Sequence, residues 1–249
     1  MRRSAQISPG FVSVTLGGAD LAHFTPSAPD EAVRLFFPRD GQDHLIMPTV
    51  SNQAWTIQML AQPVTRRPWV RLYTARAFRP DLLELDVEIA LHGNSPASRW
   101  ARGAAPGSPA GILDEGHTYR YRTDTDWELL AGDESALPAI VAILEQAPPD
   151  YRAQVYCEIA NTADIRALPN LPVGVDLHWL PRGDNDEIPG RLALRTITDT
   201  ILPNGRFTAW IAGEQRLPSQ LRRHLISRGI AKRDITFTGY WRRGRASLG

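Results

Sequence analysis

The chain has 249 residues, 43% hydrophobic and 22% charged, a balance that excludes a disordered polar chain and fits either one large domain or two of ordinary size. Its net charge of +1 is unevenly spread: residues 206–249 hold ten Lys+Arg against two Asp+Glu, or +8, which leaves −7 for residues 1–205. A single cysteine, Cys157, excludes an internal disulfide, a thiolate zinc site and a cysteine-held iron–sulfur cluster.

The opening "MRRSAQISPGFVSVTLGG" has no apolar run long enough for a signal-peptide core, and no later segment approaches a membrane span, so a cytoplasmic protein without membrane insertion is expected. The first half then reads as short alternating stretches, "FVSVTL", "AVRLFF", "WVRLYTARAF" and "LLELDVEIALHG", separated by Pro and Gly. Alternation at such intervals predicts an antiparallel sheet or barrel. Within "RLYTAR", period two places Arg71, Tyr73 and Ala75 on one side and Leu72, Thr74 and Arg76 on the other. An arginine beside an aromatic on one strand face can clamp a phosphate while the ring lies against a planar ligand, which is the shape of a flavin dinucleotide. An edge strand with solvated arginines and a half-buried tyrosine accounts for the same residues.

The next stretch, "DVEIALHGNSPASRWA", ends a strand at His92-Gly93 and opens a short helix whose first turn is Ser95, Pro96, Ala97 and Ser98 and which carries Trp100. Small residues at a helix start expose backbone N–H groups that bind phosphate, although a plain N-cap explains them too. After "YRYRTDTD" the pattern changes to apolar runs alternating with helical stretches, which predicts βαβ crossovers and a mainly parallel sheet. The expected division is 1–123 and 124–249, with a ligand crevice between the two halves. In the second half "LLAGDESALPA" reads as strand, turn and helix start, with Gly132 allowing close backbone approach and Ser135 at the helix N-terminus, but without a G-x-G-x-x-G fingerprint. The basic end lacks a recognisable DNA-reading motif, so a nucleic-acid partner is not expected.

The ordered set "RLYTAR", "LDVEIALHGNSPASRWA", "LLAGDESALPAIVAILE", "WIAGE" and "GYWRRG" resembles the siderophore-interacting protein family, flavin-dependent ferric-siderophore reductases of the ferredoxin–NADP reductase superfamily. The resemblance covers nearly the whole chain. It implies an N-terminal FAD-binding antiparallel β-barrel of the six-stranded type followed by a C-terminal α/β NAD(P)H-binding domain. Arg71, Leu72, Tyr73 and Thr74 would bind FAD, with His92 and Gly93 on the ribityl-phosphate side and Ala97, Ser98 and Trp100 completing a phosphate turn. Gly132, Asp133, Ser135, Gly213 and Glu214 would line the NADPH or NADH site, and Arg182 would meet a 2′-phosphate. Arg34, Arg242, Arg243 and Arg245 would form a cationic rim for an anionic ferric siderophore.

No side chain is expected to act as acid, base or nucleophile, and no resident metal is expected, because the flavin would take hydride from NAD(P)H and pass electrons singly to Fe(III). Reduced ferredoxin is an alternative donor, and a monomer is expected. Two rival readings are a ferric-siderophore or flavin carrier without turnover and a nucleic-acid-binding module using the basic end. The chain departs from the family where "GAAPGSPAGILDEGHTY" lacks an expected arginine, where Arg34 replaces lysine, and where Ser135 replaces threonine.

Overall fold

A computed structural model describes residues 1–50, 54–183 and 187–245. Two compact units are present, one made of Met1–Ser27 and Glu31–His117, the other of Ala28–Asp30 and the chain from Thr118 onward. Among the described residues no helix is long and apolar enough to cross a membrane.

In the N-terminal unit, β1 (Arg3–Ser8), β2 (Phe11–Gly17), β5 (Ala77–Arg79) and β6 (Glu84–Ala90) form a four-stranded sheet in the order β1-β2-β6-β5. The strands β3 (Ala32–Phe37), β4 (Trp69–Thr74) and β7 (Gly111–Gly116) form a three-stranded sheet in the order β4-β3-β7. All pairings are antiparallel. The period-two pattern is strict in β6, where Leu85, Val87 and Ile89 are buried and the residues between them are half-exposed. These three pack with Val12, Val14 and Leu16 of β2 and with Val33, Leu35 and Phe37 of β3 in one core shared by both sheets, as the expected barrel-type architecture requires. The opposite face of the smaller sheet is covered by α1 (Trp55–Leu60), whose Trp55 and Met59 pack on Phe36 and Val70. The short helix α2 (Pro96–Gly103) buries Ala97 and Ala101 in the shared core.

In the C-terminal unit, β8 (Trp127–Gly132), β9 (Arg152–Ile159), β10 (Gly174–Pro181), β11 (Phe207–Glu214) and β12 (Ile235–Trp241) form a parallel sheet in the order β10-β9-β8-β11-β12. All six residues of β8 are buried, as befits a central strand covered on both faces. One face carries α4 (Arg191–Asp199) and α5 (Arg216–Ser227): Ala193, Ile197, Leu217, Leu221 and Leu225 pack on Trp127, Leu129, Ala131, Phe207, Ala209 and Ile211. The other face carries α3 (Leu137–Glu145), which is buried from Leu137 to Leu144. The chain runs outward from β8 to β10 and then returns to the other side of β8 at β11. That reversal is the topological switch point, where ligands of open α/β sheets bind at the strand C-termini.

Leu129 is fully buried in the central strand, so Leu129→Ala is expected to destabilise the C-terminal unit by about 2–5 kcal/mol. Urea unfolding monitored by far-UV circular dichroism checks this; an unshifted midpoint would contradict the packing described.

Candidate functional sites in the two units

On β4, cross-strand pairing sets Tyr73 opposite Val33, Arg71 opposite Leu35 and Trp69 opposite Phe37. One face of the strand therefore shows Trp69, Arg71 and Tyr73, and the other Val70, Leu72 and Thr74. Thr74 is buried, and the Tyr73 ring packs at the margin of the shared core. Burial pushes the Tyr73 phenol well above its ordinary value, so it stays neutral.

Trp69 was not among the residues expected from the sequence, yet it anchors this stripe. The Arg39 guanidinium lies 3.7 Å from the indole centroid and that of Arg71 5.2 Å from it. Arg71 donates Nη1–H to the Val70 carbonyl at 2.7 Å. Arg39 donates Nε–H to the Arg67 carbonyl at 2.7 Å, and Arg67 in turn donates to the carbonyls of Gln62 and Leu60. Among the described residues no carboxylate pairs with any of the three. Their charges consequently act on each other: Arg71 is held below the usual arginine value by burial, with Tyr73 pulling the other way and Arg39 adding to the depression, and Arg39 is lowered by burial and by Arg67. Carbonyls take one or two N–H groups of each arginine but leave the positive charge uncompensated, and a bound anion would supply what is missing.

The turn after β6 forms as the sequence indicates. Ser95 caps α2, its Oγ accepting from the Ser98 N–H at 3.2 Å, and Pro96 occupies the first helical position. Gly93 has φ +52°, a conformation that favours glycine although a Cβ there would meet open space. Ser98 is fully buried, and its Oγ accepts from the His92 N–H and from the Ser95 hydroxyl, both at 2.9 Å. Ala97 faces the core. Ser98 and Ala97 thus build the turn, and their side chains do not line a phosphate. Trp100 stacks on Phe37 with centroids 5.0 Å apart, and its indole Nε1 is buried without an acceptor. Arg99 and Arg102, which drew no notice in the sequence, fold back to donate to the carbonyls of Asn94 and Gly93.

Arg34 points elsewhere. It is ion-paired through Nε and Nη2 with Glu115 and lies 5.1 Å over the Trp55 ring. The expectation of a free rim charge at Arg34 is corrected: Glu115, its neighbour from β7, neutralises it.

At the switch point of the C-terminal unit the structure gathers Gly132, Asp133, Ser135, Gly213 and Glu214, all of them expected from the sequence. Asp133 Oδ1 accepts from the N–H and hydroxyl of Ser135 at 2.9 and 2.5 Å, and Oδ2 accepts from the Glu214 N–H at 2.6 Å. Burial, with the Glu134 charge adding, pushes the Asp133 carboxyl up to about 7. Gly213 has φ +135°, and a Cβ there would stand 2.8 Å from the Asp133 carboxyl carbon, so only glycine fits. Glu214 is buried too, accepting from the N–H groups of Arg216 and Arg243 at 2.8 and 3.2 Å. Arg242, Arg243 and Arg245 follow β12 and are exposed.

Arg182 requires a second correction. It is 7% exposed and donates to Glu134 at 2.7 and 2.8 Å and to Glu158 at 2.9 Å. Glu158, itself fully buried, also accepts from the N–H groups of Gly190 and Ala193 at the start of α4. The guanidinium is committed to joining three strand and helix ends and is not free for a phosphate. A pocket of about 650 Å³ runs along α4 and α5, with Arg191, Arg195, Arg216 and His224 around Leu194 and Leu217. Arg191 and Arg195 share Glu187 at 3.5 and 3.3 Å, whereas Arg216 has no acidic partner among the described residues.

Comparison with known proteins covers both units. A family model described as siderophore-interacting FAD-binding domain matches residues 1–118, and one described as siderophore-interacting protein matches residues 125–244. The ferric vibriobactin reductase of Vibrio cholerae is 30% identical over 249 residues, covering 98% of this chain and 88% of that protein. An uncharacterized protein of Mycobacterium tuberculosis is 36% identical over 252 residues, covering 96% and 87%. The NADPH-dependent ferric-chelate reductase of Escherichia coli is 28% identical over 244 residues, covering 96% and 90%. The crystal structure of a siderophore utilization protein from T. fusca superposes with a TM-score of 0.83 at 30% identity, covering all of this chain and 93% of the other.

Two measurements test the geometry of the C-terminal unit. Removing one partner of a buried ion pair strands the others, so Arg182→Ala should lower stability by roughly 3–5 kcal/mol in urea unfolding; a loss under about 1 kcal/mol would mean that Arg182 is solvated and free. Burial raises the Asp133 carboxyl from the ordinary 3.8 to about 7 in the folded chain, so between these limits the folded chain holds a proton that the unfolded chain has lost. Its contribution to stability is complete below the lower limit and is lost as pH rises through the upper one. Unfolding midpoints should therefore fall less between pH 4 and 8 for Asp133→Asn than for the parent, and parallel profiles would refute the assignment.

Proposed function

The chain belongs to the siderophore-interacting protein family, and we propose that it is an FAD-dependent oxidoreductase that uses NAD(P)H to reduce ferric siderophores and so release iron as Fe(II). The observation that carries this reading is the pair of guanidiniums of Arg39 and Arg71 at Trp69, which have no neutralising carboxylate among the described residues and lie beside a neutral, half-buried tyrosine. The residues present fit FAD: the arginines need an anion, the orphaned Trp100 Nε1–H needs an acceptor, and the aromatic faces of Trp69 and Tyr73 suit flat rings. Arg71 and Arg39 hold the phosphates, Tyr73 and Trp69 orient the rings, and the backbone of the His92-Gly93 turn completes the seat. When bound, FAD accepts two electrons from NAD(P)H and passes them singly, so that one NAD(P)H reduces two ferric chelates.

The chain's own part is binding and orientation. At the switch point, Asp133 ties the end of β8 to the end of β11, and Gly213 keeps that edge free of side chain so that a dinucleotide can approach the backbone. Arg216, with Arg191 and Arg195, takes the role first expected of Arg182 in meeting the adenosine phosphates. This pocket favours NAD(P)H over reduced ferredoxin as donor. Arg242, Arg243 and Arg245 attract the anionic chelate, without Arg34. The buried Cys157 thiol, pushed up by desolvation, takes no part. We assign the reaction to the cytoplasm, where NAD(P)H is supplied.

The test follows flavin absorbance under argon. The purified protein should be yellow, bleach on addition of NADPH, and recolour on addition of a ferric siderophore while a ferrous-specific dye captures two Fe(II) per NADPH. Arg71→Ala and Arg39→Ala should each weaken FAD binding by tenfold or more, about 1.4 kcal/mol, and Arg216→Ala should raise KM for NADPH more than for NADH. A folded, colourless protein that does not take up FAD would overturn the whole reading. A yellow protein that NADPH does not bleach would instead identify a carrier.

A further inference from the structure

The segment "TYRYR" at residues 118–122 serves none of the sites above. Its residues 119–122 line a cavity of about 390 Å³ at the edge of the parallel sheet where β8, β11 and β12 begin. This is the opposite edge from the switch point, roughly 20 Å away by the length of a six-residue strand. We propose that the cavity is a second ligand site, built for a small aromatic carboxylate.

The floor is a closed polar network. Tyr119 and Tyr151 both donate to Glu128 Oε2, at 2.9 and 2.7 Å, and Thr208 donates to Oε1 at 3.2 Å. With its hydroxyl committed to Glu128, Tyr119 lines the cavity as a largely buried ring. Trp210 is fixed likewise, its Nε1–H shared between Asp30 and Thr118 at 3.3 and 3.1 Å, and contributes a wall with no free donor. Tyr121 is 45% exposed at the mouth, its ring 5.8 Å from that of Tyr151. Hydrogen bonds thus hold the Tyr119 and Trp210 rings in place, and Tyr121 stands at the mouth.

The charges divide into two groups. Arg122 and Arg206 both pair with Asp124 and Asp234, at 2.8 to 3.6 Å, a knot of two cations and two anions that is neutral as a whole. Burial shifts Glu128 toward its neutral form. Arg120 and Arg233 line the same cavity, are exposed, and have no acidic partner among the described residues. A cavity with ring walls and two uncommitted planar cations at its rim matches a ligand that is itself a ring carrying a planar anion, since a guanidinium pairs with a carboxylate through two parallel hydrogen bonds. The volume lies near the lower end of small-molecule pockets, ~300–1,000 Å³, which suits one ring and not a dinucleotide.

The experiment titrates the flavin-loaded protein with benzoate by saturation-transfer NMR, alongside benzamide, cyclohexanecarboxylate, AMP and inorganic phosphate. Saturable binding of benzoate is expected at a Kd on the order of 1 mM or tighter, with benzamide and cyclohexanecarboxylate much weaker and excess NADP⁺ without effect. The double variant R120Q/R233Q should lose roughly tenfold or more in benzoate affinity while keeping the parent's thermal midpoint and its rate of flavin bleaching by NADPH. The proposal is overturned if benzoate does not bind, if the double variant binds it as the parent does, if NADP⁺ displaces it, or if AMP or phosphate binds more tightly through the same two arginines.

Discussion

The structure turns on how it disposes of guanidinium charge. Of the chain's 28 cationic side chains only one is a lysine, so most of its positive charge is carried on a planar, always ionised group that cannot escape burial by losing a proton. Several of these groups are given acidic partners: Glu115 for Arg34, Asp86 and Glu84 for Arg79, Asp124 and Asp234 for Arg122, Glu134 and Glu158 for Arg182. At Trp69, Arg39 and Arg71 have no carboxylate partner among the described residues and donate to carbonyls. A half-buried charge without a partner is costly, and a bound anion would offset that cost. Arg216, Arg120 and Arg233 likewise lack an acidic partner among the described residues, whereas Arg191 and Arg195 share Glu187.

The parallel sheet imposes the second constraint. Because α4 and α5 run antiparallel to their strands, their N-termini, the end of β8 and the end of β11 all fall on one edge. Asp133 then has to satisfy donors from two strands that the topology brings together, and Glu214 caps α5 from the neighbouring position. Nothing in this arrangement depends on sequence proximity, because Asp133 and Glu214 are joined only through the order β8-β11.

What the sequence made legible follows from how local each signal is. The alternation of β6, the Ser95 cap with Pro96 behind it, and the switch from antiparallel to parallel architecture are encoded within a few residues and appear as expected. Trp69 was passed over because the stripe was started at Arg71, one pleat too late. Arg39 lay beyond reading because its place over the indole depends on how the chain leaves β3. Arg182 was misassigned for the same reason in reverse: its partners Glu134 and Glu158 lie 48 and 24 residues away, and a lone arginine after a strand reads as free until tertiary structure supplies the carboxylates.

Asp133 shows why a displaced pKa is not sufficient to name a catalytic group. A buried carboxyl shifted to about 7, beside the edge proposed to bind a dinucleotide, has the profile of a general acid. Its oxygens, however, are fully engaged: both lie in line with N–H or hydroxyl donors from Ser135 and Glu214, and Gly213 closes over its carboxyl carbon. Neither oxygen is directed at open space where a reacting atom could stand, so the shift records the cost of burying a joint between β8 and β11. The chemistry proposed for the protein requires no such acid, because a hydride acceptor and a one-electron acceptor need to be positioned and held dry, and positioning is what a rigid, fully hydrogen-bonded joint provides.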